Sequence, residues 1–354
     1  MTRRVLVTGG VGVLGKALAT TLAERGDQVS TVDIRSWPVA PPGVRHTVGD
    51  IRDRDQMRSL TDGVDVVVHC ASGLPSYPAS TIREVIVDGT RSVLDVAKSA
   101  KVPRVVYIST TSVYGLPTVV PTPETYPRHP VDPYGVCKVE AEQMCERLRE
   151  EGISIPILRP KTFLGPGRMG LFAMLFEWAD EGRGFPLLGG GRALTQMCAT
   201  EDVVAAVLAV VEAPDDVAND TYNIAAADFG PLRDDFQAVL DAAGHGKRVV
   251  PIPARSAAAV LNVLSTLRLS PIYRRLAYKL IADSYVSIEH ARNRLGFQPR
   301  YSNREAILAA YHWWRAHRDT SAGQLAHRSA DRPTGRTSDD PWRQGALALA
   351  KAFF

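Results

Sequence analysis

Tyr134 and Lys138 stand four residues apart in VDPYGVCKVEAEQ, just after Pro130 and Pro133 and at the head of a helix-like stretch. Residues i and i+4 share one face of a helix, so the phenol and the ammonium point the same way. A free tyrosine titrates at about 10 and is a poor base at neutral pH. A neighbouring positive charge favours its phenolate form, and such a pair could take a proton from a hydroxyl or return one. The same residues on an exposed face would do nothing, so the rest of the chain decides what that face looks at.

A second group of residues answers part of that. VLVTGGVGVLG sets Gly10, Gly12 and Gly15 in a G-x-G-x-x-G pattern, which Gly9 extends to TGGxGxxG. Glycines there let the chain turn tightly, let a pyrophosphate approach the backbone, and let the following helix pack closely on the strand. The free amides at that helix start favour an anion. A strand-like run precedes the pattern, a helix-like run follows it, and Asp33 ends the next strand-like run 18 residues after Gly15. That is close to the offset of about 20 residues expected of a ribose-binding acid, so the combination predicts a dinucleotide site. The Asp33 carboxylate would accept from a free ribose 2′-hydroxyl and repel a 2′-phosphate, which favours NAD over NADP. Arg35 is the residue that could reverse that preference. Gly49 and Asp50, after a possible short strand VRHTV (44 to 48), either touch the adenine or form an ordinary turn.

The elements that must position these groups follow from the apolar runs. RVLVTGG (4 to 10), QVSTVD (28 to 33), VDVVVHCAS (64 to 72) and RVVYIST (104 to 110) alternate with helix-like KALATTLAERG (16 to 26) and Ile82 to Ala100. Strands alternating with helices imply a parallel sheet covered on both faces. ISIPILRP repeats the theme after Glu151, and TYNIAAA (221 to 227) is expected to return to the sheet. The fold class expected is therefore α/β, a doubly wound parallel (Rossmann) sheet with a smaller, mostly helical C-terminal region. Residues 1–165 would form the dinucleotide-binding domain, with a return segment near 195–227, and 166–194 and 228–318 the substrate region. From Asp319 a polar linker is predicted, ending in a short amphipathic helix that carries Trp342, Ala346, Leu349 and Phe353.

The 354 residues are 45% apolar and 23% charged, an ordinary balance for a soluble globular protein. With no unbroken apolar run of about 18 residues and no signal-peptide core after Arg3 and Arg4, a cytoplasmic protein without membrane or nucleic-acid contact is expected. Cys70, Cys137, Cys145 and Cys198 are too scattered for a disulfide framework or a zinc site, and no metal is expected. Residues 247 to 300 hold ten Lys or Arg against Asp283 and Glu289, +8 there and so −4 in the rest of a chain whose net charge is +4. That is a solvated basic face with one or two cations turned to a ligand.

Taken together, TGGVGVLG, GDIRD (49 to 53), VVVHCAS (66 to 72), VDGT (87 to 90), ISTTSVYG (108 to 115), YGVCK (134 to 138) and LRPKTFLGPG (158 to 167) resemble the extended short-chain dehydrogenases/reductases, the NAD-dependent epimerase/dehydratase group. The resemblance spans roughly residues 3 to 315. It implies Tyr134 as general base or acid, Lys138 lowering its pKa and holding the nicotinamide ribose, and Thr110 orienting the reacting hydroxyl. It further implies a cofactor shell of Gly9, Gly10, Gly12, Val13, Leu14, Gly15, Asp33, Ile34, Arg35, Asp50, Ile51, Cys70, Ala71, Ser72, Ser109 and Pro160 with Tyr134 and Lys138. Ser72, Thr111, Ser112, Thr162, Arg192 and Arg275 are the implied substrate contacts, and a homodimer through helices near 82–100 and 134–151 is the implied assembly.

The departures from the family pattern bear on the reaction. Dehydratases of the family carry an Asp-Glu pair after the catalytic Thr, where this chain has Thr111 and Ser112, so elimination of water is disfavoured. Nucleotide-sugar epimerisation is the leading expectation, with Arg274, Arg275 or Lys279 meeting a diphosphate. Yet the phosphate-gripping Arg seven residues before the Asp of TEDVVAA (200 to 206) is Thr195 here, with Arg192 three residues earlier, and Ile86 replaces a common Asn. The alternative is a hydroxysteroid- or dihydroflavonol-like alcohol dehydrogenase or ketone reductase; residues 254 to 281 read first as an ordinary helical lid, and otherwise as the lining of an apolar pocket or a membrane contact. A non-catalytic NAD-binding scaffold is the remaining reading, and the presence of both Tyr134 and Lys138 argues against it.

Overall fold

The computed structural model describes residues 2–168, 172–253 and 282–330. In chain order its strands are β1 (Arg4–Thr8), β2 (Gln28–Asp33), β3 (Val44–Val48), β4 (Val66–His69), β5 (Arg104–Ile108), β6 (Ile157–Pro160), β7 (Phe163–Leu164), β8 (Phe185–Leu188), β9 (Cys198–Ala199), β10 (Thr221–Ile224) and β11 (Val249–Ile252). Its helices are α1 (Val13–Glu24), α2 (Arg54–Thr61), α3 (Ala79–Arg83), α4 (Gly89–Ser99), α5 (Pro133–Glu150), α6 (Ala173–Asp180), α7 (Thr200–Glu212), α8 (Asp215–Ala218), α9 (Leu232–Ala243), α10 (Glu289–Leu295) and α11 (Asn303–Ala330).

Seven strands form the central sheet in the order β10-β6-β5-β4-β1-β2-β3, and every neighbouring pair is parallel. Strand order reverses between β1 and β4, so the loops leaving Thr8 and His69 part there and open a crevice at the carboxyl edge. The alternation of β-branched runs with helices produces this doubly wound sheet, and TYNI returns to it as β10, paired to β6.

Both sheet faces are covered. On one, α1 buries Leu14, Leu18 and Leu22 at helical spacing beside Val203, Val207 and Val210 of α7. On the other, Val93 and Val96 of α4 meet Ala141 and Cys145 of α5. Each fully buried leucine contributes roughly 1.5–3 kcal/mol. A separate apolar cluster holds the C-terminal lobe, built from Phe176 and Trp178 of α6, Phe185 of β8, Phe236 of α9 and Tyr311 of α11.

Two details differ from the sequence expectation. Val249–Ile252 is a strand, paired in parallel with β8, inside the region read as mostly helical. Helix α11 continues to Ala330, past Asp319 where a polar linker was expected to begin. Its first turns are rich in alanine (REAILAA), and a helix propagates beyond such a start at little further cost. The terminal amphipathic stretch around Trp342 to Phe353 lies outside the described residues, as do residues 254–281.

Candidate active site

The glycine loop joins β1 to α1 at the switch point. Gly9 has φ +69°, and a Cβ on it would stand 2.7 Å from the Ala71 amide nitrogen, so the loop is pressed against the end of β4. A Cβ on Gly10 would stand 2.5 Å from Thr31 Cβ, and one on Gly15 would overlap the Gly9 carbonyl oxygen. Gly12 is different: a Cβ there meets only Gly9 O within 4 Å, leaving the helix start open to a ligand. Leu14 and Ile51, expected in the cofactor shell, send their side chains into the two sheet-face cores instead. Only their backbone remains for a ligand. Val13 is half-buried and Ile34, next to Asp33, is 71% exposed.

Asp33 closes β2 and is nearly buried. Its Oδ2 accepts from the Val11 amide at 3.0 Å, and its Oδ1 from the Arg35 amide and Nε at 3.0 and 3.2 Å. The acid therefore braces the glycine loop, and Arg35 is turned onto it. Asp50 is paired with Arg52, whose guanidinium hydrogen bonds hold its carboxyl below the usual range. An open helix start and a buried strand-end acid braced against the loop fit a dinucleotide's pyrophosphate and ribose.

At the far end of the crevice the carboxyl edges of β4 and β5 meet α5. Asp132 caps α5 by accepting from the Gly135 amide at 2.7 Å, and Pro133 supplies a helix-compatible φ at the first position. Gly135 lets the helix start close against the 3-10 turn Thr111–Tyr114: a Cβ there would lie 3.0 Å from Ser112 O. Tyr134 is half-buried, with its ring packed on the α4–α5 core.

Lys138 is 2% exposed and its Nζ donates to Ile108 O at 2.8 Å, with the ammonium 4.9 Å from the Tyr107 ring centre. Burial pushes Lys138 down to about 8, against the opposing charge of Glu142. Thr110 follows β5 in extended backbone. Its Oγ1 accepts from the Ser112 amide at 3.1 Å and lies 3.2 Å from Ser112 Oγ. Helix α5 thus brings Tyr134 and Lys138 to the strand end that carries Thr110.

Other expected contacts are placed as follows. Cys70, Ala71 and Ser72 leave β4 along the crevice, with Ser72 Oγ donating to Gly73 O at 3.1 Å. Thr111 and Ser112 are buried in the 3-10 turn. The hydroxyl of Ser109, expected in the cofactor shell, donates to Glu142 Oε1 at 2.5 Å. Pro160 ends β6, and the Arg159 side chain before it is buried on Glu142, Tyr114 and Glu124 O. Thr162 and Arg192 are exposed, and Arg275 lies outside the described residues. A cavity of about 630 Å³ lined by Glu124, Tyr126, Arg128, Glu146, Asp220 and His290 opens beside the amino end of β10, away from this crevice.

Three buried polar residues were not singled out by the sequence. His69 is wedged between Thr8 Oγ1 at 2.7 Å and Thr90 Oγ1 at 3.0 Å, and burial, then the Lys138 charge, push it to about 3, so it is neutral. Lys161, directly after β6, donates to Ser284 Oγ at 2.8 Å. Glu142 lies two turns beyond Tyr134 on the same helical face, and that spacing was its one sequence signal. Among the described residues no group of three or more His, Cys, Asp or Glu side chains is arranged to hold a metal, and no helix is long and apolar enough to cross a membrane.

Comparison with known proteins agrees with this arrangement. Protein y4nG of Sinorhizobium fredii is 33% identical over 320 residues, covering 89% of this chain and 80% of its own. The 2-alkyl-3-oxoalkanoate reductase of Stenotrophomonas maltophilia is 29% identical over 331 residues, 86% of this chain and 97% of that protein. Among solved structures, the UDP-glucose 4-epimerase of Thermotoga maritima superposes with a TM-score of 0.73 at 23% identity, covering 88% of this chain and 99% of that one, which establishes a shared fold. Residues 5–225, from the first strand through β10, match the NAD dependent epimerase/dehydratase family, and the chain belongs to that family.

Proposed function

We propose that the protein interconverts a secondary alcohol and its ketone on a largely apolar substrate, with net transfer of hydride to or from NAD. The observation that carries this reading is the reach of the likeness to the 2-alkyl-3-oxoalkanoate reductase. It covers 86% of this chain, a share that must extend well past residue 225 into the segment that would contact substrate. Two features agree. Arg192 is exposed, and Thr195 Oγ1, at the place of the phosphate-gripping arginine, is buried without a partner among the described residues.

NAD, when bound, supplies the carbon that accepts or returns the hydride. The remaining work falls to this chain's side chains. In the oxidising direction Tyr134 Oη takes the proton of the reacting hydroxyl, and in reduction it returns a proton to the ketone oxygen. Thr110 Oγ1 orients that oxygen. The Lys138 ammonium, fixed on Ile108 O, favours the phenolate electrostatically.

This arrangement gives a pH dependence. Lys138 is charged below about 8 and loses its proton above. Turnover should therefore fall on the alkaline side through pH about 8, measured as kcat against pH. The fall should be absent in Lys138→Arg, whose guanidinium stays charged, although that variant is slower throughout.

The reading is tested by mixing the purified protein with NAD or NADH and a panel of 3-hydroxy and 3-oxo acids, hydroxysteroids and nucleotide sugars. NADH absorbance and product stereochemistry are both followed. Stoichiometric NADH from a hydroxy acid or steroid is expected. An inverted sugar without net NADH would instead establish the nucleotide-sugar epimerase, which uses the same proton-transfer groups.

A further inference from the structure

The Tyr134–Lys138 pair sits on a third member of the same helical face. Glu142, 0% exposed, follows Lys138 by one turn of α5 and receives hydrogen bonds from three other segments. Arg159 of β6 grips both oxygens, Nε to Oε1 at 2.9 Å and Nη2 to Oε2 at 2.7 Å. Arg128, from the loop before α5, reaches Oε2 at 3.0 Å, and Ser109 donates to Oε1 at 2.5 Å. A two-point guanidinium grip fixes the plane of a carboxylate. Oε1 is thereby held where Ser109 must meet it.

Ser109 lies between the two residues the site depends on. Its predecessor Ile108 supplies the carbonyl that anchors Lys138 Nζ, and its successor is Thr110. One carboxylate therefore ties the end of β5 to the helix that carries the phenol and the ammonium. The groups around that ammonium are Glu142 and Cys145 from α5, His69 of β4 with Cys70 directly after it, and Tyr107 from β5. Burial keeps His69 neutral and the thiols and the Tyr107 phenol protonated, which leaves Glu142 as the formal charge among them. Burial raises Glu142, but the hydrogen bonds and charge of Arg159, with Ser109 and Arg128, outweigh it and keep the group ionised. Stability alone is a poor rationale for such a buried cluster, because apolar residues of like volume often serve as well or better.

We propose that Glu142 is a positioning residue for the proton-transfer pair: its carboxylate locks Ser109, and with it Thr110 and the Ile108 carbonyl, onto α5 one helical turn from the Lys138 ammonium. The proposal rests on the roles assigned above to Tyr134, Lys138 and Thr110, but its test does not need a substrate. Lysine side chains labelled with carbon-13 are titrated by NMR in the full-length protein, with the Lys138 signal assigned by its loss in Lys138→Arg. In Glu142→Gln, Lys138 should lose about tenfold in proton affinity. Glu142→Asp should recover much of it. An unchanged Lys138 midpoint in Glu142→Gln, with only the melting temperature lowered, would overturn the proposal and leave a purely structural pair.

Should Glu142→Gln not fold, Glu142→Gln/Arg159→Met removes both buried charges together. A smaller fall in the same direction is expected there, because loss of the Arg159 cation offsets part of the lost carboxylate charge, and a midpoint that does not fall likewise overturns the proposal. With any substrate the panel identifies, Glu142→Gln should lower kcat at least tenfold, leave KM within about threefold, and move the alkaline limb of the kcat profile to lower pH. A panel in which nothing turns over counts against the proposed reaction, while the Lys138 titration still decides the role of Glu142 by itself.

Discussion

Tyr134→Phe is expected to leave a folded protein that still binds NAD but transfers hydride at least about 100-fold more slowly, because a positioned acid or base contributes about 10²–10⁴ in rate. The substitution removes only the hydroxyl. The ring packs on the α4–α5 core through its carbons, and phenylalanine preserves that contact. The Gly135 approach to Ser112 O and the Lys138 bond to Ile108 O are made by other atoms, so the surrounding geometry is retained. Stopped-flow NADH absorbance, a cofactor-binding titration and a thermal melt give the three readouts. Equal rates in variant and wild type, with equal melting temperatures, would remove Tyr134 from the chemistry.

The second large effect concerns the other end of the crevice. Gly15→Ala places a methyl group into the Gly9 carbonyl oxygen, with the Gly10 Cα only 2.9 Å away. Both obstacles are backbone, so no rotamer change relieves them, and the loop or α1 must move. Overpacking of this kind costs about 1–3 kcal/mol, and the displaced loop is the one whose amides would meet the pyrophosphate. We expect NAD affinity to fall at least about tenfold, measured by fluorescence titration, together with a lower melting temperature. Gly26→Ala is the comparison. Gly26 has φ +89° but nothing within 4 Å of an added Cβ, so the change strains the backbone without touching the loop. It should lower stability by about 1 kcal/mol and leave NAD affinity unchanged.

What the sequence made legible was local. VLVTG and QVSTVD read as strands because β-branched residues alternate with turn signals, and Asp33 fell at a strand end because its run stops there. The Tyr134–Lys138 face was readable from helical spacing and from the prolines before it. Less legible were groups whose role depends on pairing between distant segments. Glu142 meets Arg159 and Ser109, 17 and 33 residues away, and no periodicity reports such a match. Arg159 stands beside Pro160 at the crevice edge of β6. Successive side chains on a strand point to opposite faces, however, and its own points to the face where α5 lies. Leu14 and Ile51 were drawn into the cofactor shell by motif position, whereas their side chains follow hydrophobic burial. Arg275, read as a substrate contact, falls outside the described residues.

A crystal structure of the protein determined with NAD bound tests whether the cofactor and the Tyr134 phenol share one crevice. The pyrophosphate is expected over the start of α1, a ribose hydroxyl on Asp33, and the nicotinamide end at Lys138, facing Tyr134 and Thr110 with room for one alcohol carbon between. A nicotinamide end lodged away from α5, or a Tyr134 hydroxyl turned from it into packed hydrocarbon, would contradict that arrangement.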